Sequence, residues 1–422
     1  MTRRPFEWEP GAPPPCLEEH SARKLDLIRL YLRAYLRTIG QGPRQDRIAL
    51  TLVDGFAGGG TFLYRGAEVG GTPIVMMEEV ERARRELNQG RAKPLAIEAM
   101  FVFVEKRRAT HEHLRRVLLG RGLLGALGIG GELVRGDFVE RYASIKERVM
   151  RRHRRGRSIF LLDQLGWNAV PFAVIRDILT TIPKSEVILT FNVDWLIDHL
   201  ADSPEIAKAV APLGMTRGDV QDLLAKKAQV GGRILAQQVL ARRIQDETRA
   251  PNITPFFVRS ASSHRSMWIV HLSQHPKARD VMLDQHWALG SGVVHQGPGS
   301  LDMIGWTQGL EQLEAFDFGF DEVALDHAEA RLLSEIPEAL WRDGLIDGLP
   351  FEAWRAGRVN RTALGRDHLG VYLRRLAEAG EIRIETRTGR SKRPGARLRD
   401  DDVLRTPAQR RFVFAHPRER LA

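Results

Sequence analysis

The sequence predicts an α/β protein built on a doubly wound, mainly parallel sheet, with a smaller module appended after it. Short apolar runs alternate with amphipathic helical patterns through the first 300 residues, which is typical of this class. The chain has 422 residues, more than one ordinary domain holds. Its charge also changes sign: residues 301–350 carry twelve acids and two bases, whereas residues 351–422 carry nine acids and eighteen bases.

The first elements are a helix and a buried strand that runs into glycines. Residues 21–38 repeat apolar side chains at helical spacing, and Ser21 is a candidate N-cap. The apolar run IALTLV then predicts a strand, which leads into the turn DGFAGGGT at residues 54–61. Later strands are predicted at MFVFV, SIFLL, SEVILTF and SMWIVHLS, and helices around 106–120, 139–153 and 171–181.

The tail has a different pattern. Helices are predicted at 325–342 and 362–379, followed by strands at EIRIETR and RRFVF on either side of a basic turn. Helices followed by a β-ribbon with a basic tip predict a winged-helix-like module. The expected organisation is an N-terminal helical extension at 1–40, an α/β domain at 41–300 with a helical insertion near 205–250, a linker at 301–325 and the basic module at 326–422.

The composition narrows the choice of partners. The formal net charge is +11 and most of the bases are arginine, which favours a polyanionic partner such as DNA or RNA. The single cysteine, Cys16, excludes an intrachain disulfide and multi-cysteine metal centres, so we expect a cytosolic, cytoplasmic protein. The N-terminus lacks the apolar core of a signal peptide, and no stretch reaches the roughly 18 apolar residues of a membrane helix. No membrane partner is expected.

The residues that could carry chemistry follow successive strands. Asp54 begins the glycine turn, Glu105 ends MFVFV and Asp163 ends SIFLL, while Asp137 follows a short apolar segment. Because the carboxyl ends of parallel strands share one edge, we expect these acids to converge on a ligand crevice. Consecutive glycines let a backbone approach a ligand closely, and a helix after them would offer free N–H groups. Glu105 could accept from both hydroxyls of a ribose, and the acid beside Phe138 suits an adenine.

Plainer interpretations stay open. A glycine-rich turn can merely relieve crowding between neighbouring elements, and each acid can be an exposed loop residue. No lysine follows the glycines as it does in a phosphate-binding P-loop. His111 and His113 are two residues apart and do not share a helical face, so a solvated face explains them better than a metal pair. No metal site is predicted.

Together these residues resemble the class I S-adenosylmethionine-dependent methyltransferases, and the turn resembles the DPFAGSGT-like loop of enzymes that methylate amines in nucleic acids. A closer resemblance, over about residues 20–290, is to the three-Cys-motif partner protein (TcmP) family. It rests on Ser21, Lys24, Tyr31-Leu32, Asp54-Gly55-Phe56-Ala57-Gly58, Gly71-Thr72-Pro73, Phe103-Val104-Glu105, Gly136-Asp137-Phe138 and the segment HLSQHPKARDVMLDQHWALGS.

The resemblance implies a Rossmann-like class I methyltransferase fold and the cofactor S-adenosyl-L-methionine. The residues that it places around the cofactor are Asp54, Gly55, Phe56, Ala57, Gly58, Gly60, Glu105, Asp137, Phe138 and Asp163. It also implies a partner of radical-enzyme type that bears three cysteines. This chain, with one cysteine, would be the partner of that protein and not the carrier of its cluster.

The fourth strand departs from the family pattern. That pattern is close to Asp-Pro-Phe-Gly, whereas this chain has Asp163-Gln164-Leu165-Gly166-Trp167-Asn168. In amino-methylating enzymes an acid or amide followed by two prolines and an aromatic binds the target amine and stacks its base. The predicted catalytic residues are therefore Asp163, as hydrogen-bond acceptor, and Trp167, as stacking surface, and cofactor binding is the other role open to Asp163. Asn192 and Asp194 are weaker candidates.

Two basic runs are candidate contacts to nucleic acid. One lies in residues 141–157, and the other lies in the turn of the C-terminal module. A solvated helix face is the alternative explanation of the first run. The residues predicted to contact phosphates are Arg151, Arg152, Arg154, Arg155, Arg390, Lys392, Arg393 and Arg397.

The sequence is compatible with two functions. The first is methyl transfer to a base amine of DNA or RNA, in DNA repair or phage defence. The second is a methyltransferase fold without activity, which binds nucleotide or nucleic acid and serves the three-cysteine protein as a partner. The dipeptide Gln164-Leu165, in place of the prolines, keeps the second function open.

Overall fold

The chain divides into two compact units, Met1–Gln285 (unit 1) and His286–Ala422 (unit 2), and each is described by itself. None of the helices in the described parts is long and apolar enough to cross a membrane. The computed structural model describes residues 6–8, 12–152, 156–164, 166–229, 232–259, 266–289, 293–296, 301, 317–319, 322–362, 364–393 and 395–408.

Unit 1 contains a mixed sheet whose strands are mainly parallel. The strands of this unit are β1 (Arg47–Asp54), β2 (Thr61–Tyr64), β3 (Ala67–Gly70), β4 (Ala96–Glu105), β5 (Glu132–Arg135), β6 (Arg157–Leu162), β7 (Ser185–Phe191), β8 (Asn252–Arg259) and β9 (Ser266–Ser273). β1 pairs in parallel with β4 on one side and β6 on the other, and β5 and β7 extend this parallel set. β9 runs antiparallel to both β7 and β8.

The order of the strands defines the fold class. Across the sheet they lie as β5–β4–β1–β6–β7–β9–β8. The chain first moves outward from β1 to β5, then returns to the other side of β1, so the topological switch point lies between β1 and β6. This order, with one reversed strand near the far edge, is the Rossmann-like class I methyltransferase fold that the sequence predicts.

Helices connect the strands of unit 1. They are α1 (Glu19–Gly40), α2 (Thr72–Asn88), α3 (Arg108–Gly120), α4 (Phe138–Arg152), α5 (Phe172–Thr181), α6 (Val193–Asp198), α7 (Pro204–Val210), α8 (Arg217–Lys227), α9 (Gly232–Thr248) and α10 (Pro276–Leu289), the last of which crosses the division between the units. Helix α1 buries the predicted apolar stripe, including Leu25, Ile28 and Leu32. Helices α7 to α9 occupy the range in which a helical insertion is expected.

The sequence suggested that the glycine turn leads directly into a helix. In the structure it leads into a hairpin. β2 and β3 pair antiparallel around Gly66, whose positive φ of 80° suits glycine. Both strands are short and largely half-exposed, so they lack the apolar run that marks a buried strand. The Gly71 amide then donates to the Gly60 carbonyl at 2.7 Å, which brings the beginning of α2 back beside the turn.

Unit 2 contains a β-hairpin, helices and a small antiparallel sheet. Its elements are β10 (Val293–Gln296), β11 (Asp317–Gly319), α11 (Glu322–Arg342), β12 (Leu349–Pro350), α12 (Phe351–Ala356), α13 (Arg366–Glu378), β13 (Arg383–Glu385) and β14 (Val403–Arg405). β14 pairs antiparallel with both β12 and β13. Phe351, Trp354 and Leu373 are buried in the interior of this unit. Helices followed by an antiparallel ribbon are the order expected of the basic module.

Two details of unit 2 differ from the expected pattern. Strand β11 and the beginning of α11, at Glu322, both fall within the range 301–325 in which a linker is expected. The second strand of the ribbon is β14, which the sequence did not suggest because three residues carry no recognisable alternation. The strand predicted at RRFVF lies outside the described residues.

Candidate active site

Four predicted acids meet at the carboxyl edge of the parallel strands. Asp54 ends β1, Glu105 ends β4 and Asp163 follows β6, while Asp137 lies between β5 and α4. Backbone hydrogen bonds hold these strand ends together: Gly55 N donates to Leu161 O at 2.9 Å, Ala57 N to Val104 O at 2.9 Å and Gly136 N to Glu105 O at 3.1 Å. The predicted convergence at one edge is therefore present in the fold.

Asp54 is the most deeply buried of these acids, with no exposed surface. Its Oδ1 accepts a hydrogen bond from the Phe56 amide at 3.0 Å, whereas Oδ2 has no hydrogen-bond partner among the described residues. Burial raises the pKa of Asp54 to about 7, and the nearby Asp163 carboxylate adds to the increase. The Thr72 side chain, the Phe56 amide and Lys24 lower this pKa without offsetting burial. A buried carboxyl with an open oxygen is suited to a cationic ligand.

Lys24 and Asp163 form an ion pair beside Asp54. The lysine extends from α1, and its ammonium donates to Asp163 Oδ2. The Lys24 side chain is 11% exposed and the Asp163 side chain 25% exposed, so Asp163 keeps access to solvent. The ammonium balances a carboxylate that would otherwise lie uncompensated near Asp54.

Glu105 anchors the glycine turn to β4. Its Oε2 accepts from the Gly58 amide at 3.1 Å, and its Oε1 accepts from the Arg107 amide at 2.8 Å. Gly58 has a positive φ of 62°, a conformation that favours glycine. Glu105 therefore has a structural role here, and its carboxylate keeps further lone pairs for a ligand hydroxyl.

Asp137 caps the first turn of α4. Its Oδ1 accepts from the Val139 amide at 2.9 Å, and its Oδ2 accepts from Lys106 Nζ at 3.1 Å. The adjoining Phe138 ring is buried and lies 6.3 Å from the ring of Phe56, measured between centroids. Phe56 is only half-buried, so of these two aromatics it is the one with surface left for a ligand.

An indole from the N-terminal segment covers the glycine turn. A Cβ atom at Gly59 would lie 2.3 Å from Trp8 Cγ, so only glycine fits beneath this side chain. Trp8 is 5% exposed, and its Nε1 donates to the Thr61 carbonyl at 2.7 Å. The Phe62 ring packs against it at 5.2 Å. Part of the glycine run is therefore explained by packing within the chain, as the plainer interpretation proposed.

Helix α3 supports the same turn from another direction. His113 Nδ1 lies 2.8 Å from the Gly59 carbonyl oxygen, and a Cβ atom at Gly60 would lie 2.7 Å from Leu114 Cδ1. His111 and His113 are both half-buried, and Arg115 and Arg116 on the same helix are exposed. Among the described residues, no group of three or more His, Cys, Asp or Glu side chains is arranged to hold a metal ion.

The aromatic residues after β6 and β7 form a separate cluster. Trp167 is 3% exposed and packs against Trp195 at 6.2 Å. Trp195 is half-buried and stacks on the exposed His199 at 4.0 Å. Gln164, which stands where the family pattern has its proline, is buried and accepts from the Val170 amide through Oε1 at 3.0 Å. Gln164 therefore closes the loop after β6. Of Trp167 and Trp195, Trp195 has the more accessible surface.

The two candidate phosphate-binding arginines that the structure describes in unit 1 are engaged within the chain. Arg151 pairs with Glu147 one helical turn away. Arg152 donates to the Ile129 carbonyl at 2.6 Å and to the Glu98 carbonyl at 3.2 Å. Arg154 and Arg155 lie outside the described residues.

The basic residues of the unit 2 ribbon differ from one another. Lys392 is turned inward, where its ammonium pairs with the buried Asp402 carboxylate. Arg390, Arg393 and Arg397 are exposed, and Arg397 makes only a long contact of 3.4 Å to Asp367.

Three residues that the sequence did not single out as site residues contact the predicted ones. Lys24 lies on the buried face of α1. A lysine within an apolar stripe is unusual, and this position in the sequence could have identified it as a site residue. Trp8 contacts the glycine turn and Trp195 contacts Trp167, and no local pattern marks either contact.

The edge fits a ligand that is cationic at one end and carries hydroxyl groups further along. Asp54 Oδ2 is a buried acceptor without a partner, Glu105 lies beside the half-buried Gly58, and Phe56 offers apolar surface. S-adenosylmethionine has an ammonium, a sulfonium and an adenosine, so these residues fit it and would hold it.

No family model matches the chain, and no curated protein matches it either. Solved structures are similar to parts of it, among them the following two. EvdMO1 is 12% identical over 61% of this chain and 42% of its own chain, with a TM-score of 0.25. The plantazolicin methyltransferase BamL, solved with a triazolic desmethylPZN analog and SAH, is 11% identical over 60% of this chain and 87% of its own, with a TM-score of 0.24. This chain thus spans less than half of EvdMO1. Both TM-scores are below 0.5, so we base the fold class on the strand order.

Proposed function

We propose that this protein is an S-adenosylmethionine-dependent methyltransferase whose site is the carboxyl edge formed by β1, β4 and β6. The observation that carries the proposal is Asp54, a fully buried carboxyl with one oxygen unpartnered and a pKa raised to about 7. A side chain that destabilises the folded state in this way is typical of a ligand site. The cofactor, when bound, supplies a methyl group already activated by its sulfonium.

The residues around the edge would bind the cofactor and orient the substrate. Asp54 would bind the positively charged end of the cofactor, and the turn Gly55-Phe56-Ala57-Gly58, held by Glu105, would lie along it. Asp137 and Phe138 would border the adenine. Asp163 would accept a hydrogen bond from the attacking amine and orient its lone pair, while Lys24 balances the carboxylate.

The proposed substrate is a base amine in DNA or RNA. Its support is the position of Asp163 after the fourth parallel strand, the half-buried Trp195 in α6 after β7, and the net charge of +11. Stacking of the base on Trp167 would require the Trp167–Trp195 contact to open, so Trp195 is the more accessible surface. A role in repair or phage defence remains a prediction.

Unit 2 would act as the nucleic-acid-binding module of the enzyme. The succession of α11, β12, α12, α13 and the ribbon β13–β14 supports a winged-helix-like assignment. The exposed Arg390, Arg393 and Arg397 would contact phosphates.

Calorimetric titration with S-adenosylmethionine and S-adenosylhomocysteine is the first test. We expect both to bind, and we expect Asp54→Asn to weaken binding at least tenfold at pH 8, because it removes the buried negative charge. Asp46→Asn is the matched control, because Asp46 lies at the opposite end of the same strand, exposed and paired with Lys93. Failure of either ligand to bind the folded protein would refute the proposal.

A second test separates the two roles open to Asp163. If Asp163 accepts the amine, Asp163→Asn lowers methyl incorporation into DNA or RNA but changes S-adenosylhomocysteine affinity by less than about twofold. If Asp163 binds the cofactor, affinity falls together with the rate. Asp177→Asn is the control, since it breaks another partly buried Lys–Asp pair, with Lys146, between α4 and α5.

The alternative function is a cofactor- or nucleotide-binding partner of a three-cysteine radical-type protein, without methyl transfer. The buried Gln164 and Trp167, in place of an accessible motif, favour this alternative. It predicts S-adenosylhomocysteine binding with no methyl incorporation into any nucleic acid. Membership of the TcmP family stays a prediction.

A further inference from the structure

Unit 2 contains a cavity that the proposed methyl transfer does not use. It lies between the C-terminal end of α13 and the ribbon β13–β14, and its volume is about 700 Å³. That volume is within the range of small-molecule sites and is far larger than a single phosphate group needs. Both polar and apolar side chains line it.

Three arginines give the cavity its charge. Arg374, on α13, is half-buried, whereas Arg383, on β13, and Arg393, in the ribbon turn, are exposed. None of the three has an acidic partner among the described residues. Other arginines of this unit are paired: Arg355 with Glu352, Arg358 with Asp343, Arg366 with Asp400, Arg375 with Glu329 and Arg405 with Glu385. These five arginines are therefore neutralised, whereas, within the described part of the chain, the three that line the cavity are not.

The other charges around the cavity leave this excess in place. Lys392 is neutralised by Asp402, and Glu385 is taken by Arg405. Glu378, which also lines the cavity, is exposed on α13. Three guanidinium groups against one carboxylate favour an anionic ligand, and the planar guanidinium matches phosphate through two parallel hydrogen bonds.

The walls add an apolar component. Ala377, Ile382, Ile384 and Ala396 line the cavity. A Cβ atom built at Gly380, Gly389 or Gly395 would meet nothing within 4 Å, so no side chain packs against these glycines and the space beside them is open. A ligand that fills such a cavity needs a flat or apolar body in addition to its phosphate.

We propose that this cavity binds a phosphorylated nucleotide unit, with its phosphate on Arg374, Arg383 and Arg393 and its base or sugar against Ala377 and Ile384. The unit can be a free nucleotide or the phosphorylated end of a nucleic-acid strand, which present the same chemistry. This site is distinct from the carboxyl edge in unit 1 and does not depend on cofactor binding there.

The test uses the full-length chain and four probes: AMP, inorganic phosphate, a 5′-phosphorylated single-stranded DNA ten-mer and the same ten-mer without the phosphate. We expect AMP or the phosphorylated ten-mer to bind at least tenfold more tightly than inorganic phosphate and than the unphosphorylated ten-mer. AMP binding identifies a free-nucleotide site, and binding of the phosphorylated ten-mer alone identifies a strand-end site. Equal binding of both ten-mers without AMP binding would overturn the proposal, since it indicates ordinary backbone contact.

Variants locate the site. Arg374→Gln together with Arg383→Gln should weaken binding of the preferred probe by about tenfold or more. Ala377→Trp should do the same by filling the cavity while keeping the helix and every charge. Arg387→Gln is the matched control, because Arg387 is an exposed arginine of the same turn that does not line the cavity. Undiminished binding in both folded variants, checked by circular dichroism, would refute the assignment.

Discussion

The carboxyl edge in unit 1 and the arginine-lined cavity in unit 2 handle charge in opposite ways. At the edge, the acids are buried or half-buried: Lys24 pairs with Asp163, backbone amides donate to Glu105, and burial, with a contribution from the Asp163 carboxylate, raises the pKa of Asp54. In the cavity, Arg383 and Arg393 are exposed and have no acidic partner among the described residues. A desolvated charge lowers the stability of the folded state, whereas a solvated charge has little effect on it. Of the two regions, therefore, only the carboxyl edge destabilises the fold in order to bind a ligand.

If this contrast is correct, changes at the edge alter stability and changes on the ribbon alter affinity alone. The largest effect is expected at Trp8. Trp8→Ala should lower the free energy of unfolding of the whole chain by about 3 kcal/mol, because it removes a buried indole that packs on the glycine turn. Denaturant unfolding followed by circular dichroism measures this.

A double-mutant cycle assigns that effect to the turn. Gly59→Ala should cost about 1 to 3 kcal/mol in the native background, since the new methyl group meets Trp8 at 2.3 Å. In the Trp8→Ala background its cost should nearly vanish, because φ at Gly59 is not positive. Gly42→Ala, whose Cβ would meet only Gln45 at 3.7 Å, is the control. Equal costs of Gly59→Ala in both backgrounds would show that Trp8 does not cover the turn.

The next effect is the pH dependence that Asp54 imposes. Its pKa is about 7 when folded and 3.8 ordinarily, so between these values the folded state binds more protons and stability falls as pH rises. From pH 5 to pH 8 this amounts to about 3 kcal/mol. Asp54→Asn should abolish this loss and be more stable than the native chain at pH 8.

The control for that pH dependence is again Asp46→Asn. The hydrogen bond from Lys93 holds the pKa of Asp46 below its ordinary value, so Asp46 does not titrate between pH 5 and 8. The test is to measure the free energy of unfolding of the native chain and of both variants at pH 5 and at pH 8. An unchanged pH slope in Asp54→Asn would show that Asp54 is ionised throughout and that burial does not set its pKa.

The smallest effect is expected on the ribbon. Arg390→Gln with Arg397→Gln should leave stability within about 0.5 kcal/mol, because both side chains are exposed. The slope of log affinity for DNA or RNA against log salt should fall by about 1 to 2, if each arginine neutralises one phosphate. Arg65→Gln, an exposed arginine of the β2–β3 hairpin in unit 1, is the control. An unchanged slope would remove the ribbon from the nucleic-acid surface.

The parts of the fold that the sequence predicted share one property. Strands β1, β4, β6 and β7 are buried on both faces, so their residues form unbroken apolar runs that can be recognised locally. The hairpin β2–β3 and the strand β14 are short and partly exposed, and no such run marks them. Asp54, Glu105 and Asp163 were located for the same reason, because each lies at the end of such a strand.

The contacts made by those acids were not predictable in this way. Lys24 and Asp163 are 139 residues apart, and Trp8 and Thr61 are 53 apart, so neither contact leaves a local pattern. Trp167 was expected to offer a stacking surface, and the structure instead places it 3% exposed against Trp195. Arg152 and Lys392 were expected on a phosphate-binding surface, and their nitrogens are engaged by carbonyls and by Asp402.

The sequence by itself determined the class of fold, the order of the main parallel strands along the chain and the acids at their ends, because burial and turn geometry act on neighbouring residues. The tertiary structure decided which of those acids is desolvated, which is paired and which arginines remain without a partner. Those properties depend on how distant segments pack, since the free energy of a charge is set by what surrounds it and not by its neighbours in sequence.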